Sequence, residues 1–125
     1  MEASARFRPT TDQVPAARAF VRDSLSKWGE TAAVGDAVLV TSELFTNAVV
    51  HGSGWVDVYV SVTPAALRIA IVDDGQREPA MAPGPVPATM LTGRGLRIVD
   101  ALSSDWGNNR DANGRTRVWA DVARR

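Results

Sequence analysis

Glu43-Leu44-Phe45-Thr46-Asn47-Ala48-Val49-Val50-His51 sets a carboxylate, an amide and an imidazole four residues apart. On an α-helix that spacing aligns them on one stripe, each about 6 Å further along the axis. The surroundings are apolar, with Ala37, Val38, Leu39 and Val40 upstream and Leu44, Phe45, Ala48, Val49 and Val50 between the polar residues. A helix that apolar is mostly buried. Its polar stripe then meets either solvent or a cavity holding a ligand, and the stretch alone fits both.

Moving outward, Gly52, Ser53 and Gly54 end this helix, and Thr31 is its expected cap. An earlier helix is expected from the spacing of Val14, Ala17, Val21 and Leu25, capped by Thr11 or Asp12, with Pro15 in its first turn and a stop at Gly29. Before it, residues 5 to 9 suggest a short edge strand with Phe7 inward, ended by Pro9. After the central helix, residues 55 to 62 alternate Val56, Val58, Val60 and Val62 with other side chains, the pattern of a half-buried strand. Leu67, Ile69 and Ile71 form its partner, and Ala70 with Val72 on the other face predict a more central position. That strand runs into Asp73-Asp74-Gly75. Residues 75 to 93, with Pro79, Pro83, Pro85 and Pro87, read as a long loop. A short helix is expected from Leu96 to Leu102, then a hairpin of 104–109 with 115–122 around an Asn113-Gly114 turn. The fold class is α+β: two layers, with a mixed, largely antiparallel sheet and the helices on one face.

Composition narrows the chemistry. The 125 residues fit one compact domain spanning 1–125. Lys+Arg and Asp+Glu both total 14, so nothing demands a basic nucleic-acid face. There is no cysteine and only one histidine, which excludes disulfides, thiolate zinc sites and multi-histidine metal sites. Residues 1 to 13 are polar, with no signal-peptide core, and no apolar run approaches a membrane span. A cytoplasmic domain without membrane or direct nucleic-acid contact is expected. No P-loop, Gly-x-Gly-x-x-Gly after a strand, or Gly-x-Ser-x-Gly elbow occurs.

Four short elements remain. Beside the Glu43/Asn47/His51 stripe, Asp73-Asp74-Gly75 puts a carboxylate and a flexible glycine at a strand end, where a ligand amino group can donate; a plain turn with solvated aspartates reads the same. Gly93-Arg94-Gly95-Leu96 opens a helix and can offer backbone N–H groups to an anion, or be a simple junction. Gly114-Arg115-Thr116 begins the last strand, with Thr116 able to donate or accept.

In order and spacing the four together resemble the ATP-binding domain of DNA gyrase, the large heat-shock chaperones, sensor histidine kinases and the MutL mismatch-repair proteins, the Bergerat fold. Glu43-x-x-x-Asn47 looks like its N box, Asp73-x-Gly75 and Gly93-x-Gly95 its two glycine boxes, and Gly114-x-Thr116 its last motif. Within that superfamily, Glu-Leu-x-Thr-Asn-Ala-x-x-His-Gly is similar to the anti-sigma-factor serine kinases, bacterial regulators of transcription. The resemblance runs from Phe7 to Val122.

The resemblance implies ATP and Mg²⁺ as cofactors. It implies Asn47 as the metal ligand and Glu43 as the catalytic base, taking a proton from a serine hydroxyl or a water. Asp73, with Thr116 in support, would read the adenine amino group, and Gly75 would let the base approach. Gly93, Arg94, Gly95 and Leu96 would meet the phosphates, residues 76–92 would form an ATP lid, and His51 would lie near the nucleotide or at the helix end. The implied partners are a sigma factor and an anti-anti-sigma (STAS-type) protein, with a possible homodimer. One departure stands out: Arg77 occupies the second glycine position of the first glycine box. It favours the alternative of a nucleotide-binding or contact-only regulatory module without kinase turnover.

Overall fold

The fold is that of a computed structural model, which describes residues 1–75 and 93–124, with 93–96 described only as helical backbone. The expected ATP lid, residues 76–92, lies outside the described residues. The elements are β1 (Glu2–Phe7), a 3-10 turn (Thr11–Gln13), α1 (Val14–Lys27), α2 (Val34–His51), β2 (Val56–Val62), β3 (Ala66–Asp73), α3 (Gly93–Leu102), β4 (Asp105–Arg110) and β5 (Thr116–Ala123). The strands form one sheet in the order β1-β2-β3-β5-β4. All four described pairings are antiparallel, so this is the antiparallel form of the expected sheet.

The sheet is ordered by how apolar its strands are. β3 is buried at every position but Arg68, as a central strand must be. In β2 the inward Val56, Val58 and Val60 are fully buried, whereas Tyr59 and Ser61 are half-buried on the far face. β1 is an edge strand and covers residues 2 to 7 rather than 5 to 9, because Glu2 to Phe7 find a full register with Ser61 to Val56. Phe7 points inward as expected, edge-on to Phe45 (5.8 Å between ring centres) and to Phe20 (6.2 Å). The helices pack on one face. Phe45 and Leu44 of α2, Val21 and Leu25 of α1 and Val99 of α3 share a core with Leu67, Ile69, Ile71, Trp106 and Val118.

The helix ends differ from expectation at three points. Neither Thr11 nor Asp12 caps α1. The chain enters through the 3-10 turn, where Gln13 N–H donates to the Thr10 carbonyl, and the Thr10 hydroxyl is spent on the Asp12 carboxylate. Thr31 does not cap α2 either. The helix starts three residues later, behind Ala33, and only the Thr31 backbone carbonyl takes part, receiving the Val34 N–H. α3 starts at Gly93, three residues before the expected Leu96, since single glycines lower helix stability by only about 1 kcal/mol each. The end of α1 is as expected. Gly29 adopts φ +81°, with Glu30 N–H on Leu25 O (2.9 Å) and Gly29 N–H on Ser26 O (3.0 Å), a Schellman closure.

Phe45 is fully buried where α2, β1 and α1 meet. Phe45→Ala is expected to cost about 3–5 kcal/mol of unfolding free energy, read as a lower urea midpoint with an unchanged slope.

Candidate functional site

The stripe of α2 is not uniformly wet. Glu43 is half-buried, Asn47 is only 2% exposed, and His51 is exposed at the helix end. Equal spacing gave the three a common azimuth, but the layer beneath α2 runs out before His51. The Asn47 side-chain oxygen is buried and accepts no hydrogen bond from the described residues. Such an orphan costs free energy unless a ligand completes it. Ser103 Oγ, in the link between α3 and β4, is also without a partner among the described residues.

The end of α2 abuts the end of β3. Gly52 follows His51 directly, and its N–H donates to Ala48 O at 2.9 Å. A Cβ at Gly52 would stand 2.5 Å from Ala48 O and 2.5 Å from the Asp73 carboxylate. Its φ of −95° is open to any residue, so the demand for glycine is one of space. Asp73 is fully buried at the last position of β3, opposite Thr116 in β5. Its Oδ1 accepts the Gly75 N–H at 2.6 Å, and the Thr116 hydroxyl donates to Gly75 O at 2.5 Å. Asp73, Gly75 and Thr116 therefore form one hydrogen-bonded turn, with the end of the Asn47 helix against it. In this state Thr116 reaches the site through Gly75, its proton directed at that carbonyl.

Gly93, Arg94, Gly95 and Leu96 form the first turn of α3, which packs beside α2. The contacts expected of Arg94 and Leu96 side chains lie outside the description. Glu43 has no ion pair or hydrogen bond among the described residues, so its carboxylate is available as an acceptor. The donor set fits Mg²⁺ in one respect: the orphaned Asn47 oxygen is a hard ligand of the kind this ion takes. Among the described residues no group of three or more acidic or histidine side chains could hold a metal, so most of the ion's shell must come from phosphates and water.

Outside the expected residues stands a charged cluster. Asp57, on β2, receives Arg6 Nε (2.7 Å) and Nη2 (3.0 Å) and Arg115 Nη1 (2.6 Å). Arg6, against the opposing effect of burial, and then Arg115 hold the Asp57 carboxyl below the ordinary carboxylate range. In sequence, Asp57 is a single charge in a valine strand; its partners are 51 and 58 residues away.

A family model described as the histidine kinase-like ATPase domain matches residues 7–121. An uncharacterized protein of Streptomyces coelicolor is 35% identical over 69 residues, covering 53% of this chain and 66% of its own. A crystal structure of the RsbU and RsbW domains of Rv1364c from Mycobacterium tuberculosis has the same fold, with a TM-score of 0.69 at 21% identity. The match covers 100% of this chain and 33% of that one. The chain thus spans just under two thirds of the curated relative and one third of the solved neighbour.

Two outcomes test this geometry. Gly52→Ala is expected to lose about 1–3 kcal/mol through overpacking, measured by urea unfolding. A carboxyl with a lowered folded-state pKa stabilises fully above its unfolded value of about 3.9 and ceases to as the pH falls through the lower folded value. Stability should therefore drop on acidification below about pH 4. Asp57→Asn, which does not titrate, should be less stable at neutral pH and show a shallower acid limb.

Proposed function

The chain belongs to the histidine kinase-like ATPase domain family, and from that premise we propose that it is a Mg-ATP-dependent protein serine kinase of the anti-sigma type. The observation that carries the reading is the orphaned, buried oxygen of Asn47, one turn beyond a Glu43 that has no partner among the described residues, on a helix whose end abuts Asp73. Asn47 would hold Mg²⁺, which on binding neutralises charge on the phosphates. Asp73 would accept the adenine amino group, with the turn at Gly75 held by Thr116. The backbone of Gly93 to Leu96, opening α3, would face the phosphates. His51, exposed at the end of α2, would touch the nucleotide only at the rim.

Glu43 would take the proton of a serine hydroxyl as its oxygen attacks the γ-phosphorus. The bond from that phosphorus to the β–γ bridging oxygen breaks, and ADP leaves with the electron pair. The acceptor would be an anti-anti-sigma protein of the STAS type, competing with a sigma factor that the chain holds inactive, as a possible homodimer in the cytoplasm. Among the described residues no helix is long and apolar enough to cross a membrane.

A second reading is a nucleotide-binding or contact-only regulatory module without turnover. Arg77 in place of the second glycine of the first glycine box favours it. Calorimetric titration with ATP and Mg²⁺ identifies a contact-only module, which gives no binding heat, and a phosphotransfer assay with an anti-anti-sigma acceptor separates a nucleotide-binding module without turnover from the kinase. Glu43→Ala is expected to bind Mg-ATP like the parent and to transfer phosphate roughly 10²- to 10⁴-fold more slowly. Parental transfer rates in that variant would remove Glu43 from the role of base.

A further inference from the structure

Four side chains of alternating charge run from the sheet edge to the 73–75 turn: Arg6 of β1, Asp57 of β2, Arg115 just before β5, and Asp74 just past β3. The phosphoryl chemistry uses none of them. Arg115 is the hub. Its Nη1 donates to Asp57 Oδ2 at 2.6 Å, its Nε to Asp74 Oδ1 at 2.7 Å, and its Nη2 to the Trp55 carbonyl at 3.0 Å. Each of its three nitrogens has an acceptor, which only a guanidinium fork provides. Its side chain is 17% exposed, and its backbone N–H is tied to Asp111 Oδ1 at 2.9 Å. Burial lowers the Arg115 pKa, but the hydrogen bonds of Asp57 and Asp74 more than offset it.

Asp74 is gripped from three sides. Its N–H donates to Ser53 O at 2.9 Å, its carboxylate meets Arg115, and the same carboxylate fills the space where a Cβ at Gly54 would stand, 2.0 Å from Oδ2. Consecutive residues of an extended chain point to opposite faces. Arg115 therefore holds Asp74 from one side of the turn while Thr116 holds Gly75 from the other.

We propose that Arg115 is a positioning residue for nucleotide recognition. Through Asp74 it fixes the 73–75 turn so that the neighbouring Asp73 carboxylate is set to select adenine over guanine, and Asp57 in turn fixes Arg115. The inference rests on the assignment of Asp73 as the base contact in the proposed function. Adenine presents an amino donor where guanine presents a carbonyl, so a rigid acceptor separates them and a loosened one does so less well.

The test titrates the full chain, Arg115→Ala, Arg115→Lys, Asp74→Ala and the Arg115→Ala/Asp74→Ala double variant with Mg-ATP and Mg-GTP. Each is also melted without nucleotide. Arg115→Ala and Asp74→Ala should each weaken ATP roughly tenfold and narrow the ATP-to-GTP preference by a similar factor. The double variant should be no worse than either single one, because both break the same link. Lysine should fall between arginine and alanine. The Asp74 side chain is 51% exposed, so Asp74→Ala should melt close to the parent, which separates positioning from simple loss of fold. Parental ATP affinity and selectivity in Asp74→Ala, or additive losses in the double variant, overturn the proposal. No ATP binding by the parent chain overturns this proposal and the kinase reading together.

Discussion

The structure depends on the seam where the last turn of α2 meets the carboxylate that ends β3. Gly52 stands there with no room for a single carbon more. Helix and strand are pressed into that contact by the core beneath, where Leu44, Phe45 and Ala48 of α2 share one cluster with Leu67, Ile69 and Ile71 of β3. Close packing makes such a core stiff, so a position fixed at the seam is fixed for residues a turn away. Asn47 and Asp73 inherit their relation from apolar side chains that take no part in chemistry.

Two kinds of buried polar group then need different explanations. Asp57 is buried and fully engaged by two guanidiniums, so it is complete within the fold. The Asn47 oxygen is buried with no such partner, and it is incomplete until something else arrives. The contrast separates polar groups that the fold itself completes from those that it leaves open, without appeal to which residues are charged. A carboxylate in a well-made ion pair asks for nothing further, whereas a neutral amide oxygen left bare by its surroundings marks a place for a cation or a donor.

Much of this was legible in the chain, and the legible part is local. Valine alternation gave β2, continuous apolar character gave the central position of β3, and the four-residue spacing gave the common stripe of α2. Asp73-Asp74-Gly75 reads as a turn and Gly114-Arg115-Thr116 as the start of a strand, with nothing joining them, although in the fold they interlock through Thr116 and Gly75. What stayed hidden depends on depth or on long-range partners. Spacing assigns an azimuth but not a depth, so Asn47 and His51 look alike in sequence and differ in burial. Gly52 reads as a helix stop; that it clears space for Asp73 follows only once α2 lies across β3. The links of Asp57 to Arg6 and Arg115 join strands whose adjacency must exist before the charges can meet. The expected caps are absent for a related reason: a threonine at a suitable distance competes with backbone turns that satisfy the same N–H groups.

The strand order has a kinetic corollary. β3 pairs with β2 through a short hairpin but with β5 only across a long separation, and Thr116 is 41 residues from the carbonyl it holds at Gly75. Contacts that far apart close late, because the intervening chain must first surrender its freedom. On the ribosome, a nascent chain would expose Asp73 well before the residue that completes its turn has been synthesised. Competence to take a purine would then be acquired near the end of folding, and purine binding would report that the last hairpin has docked.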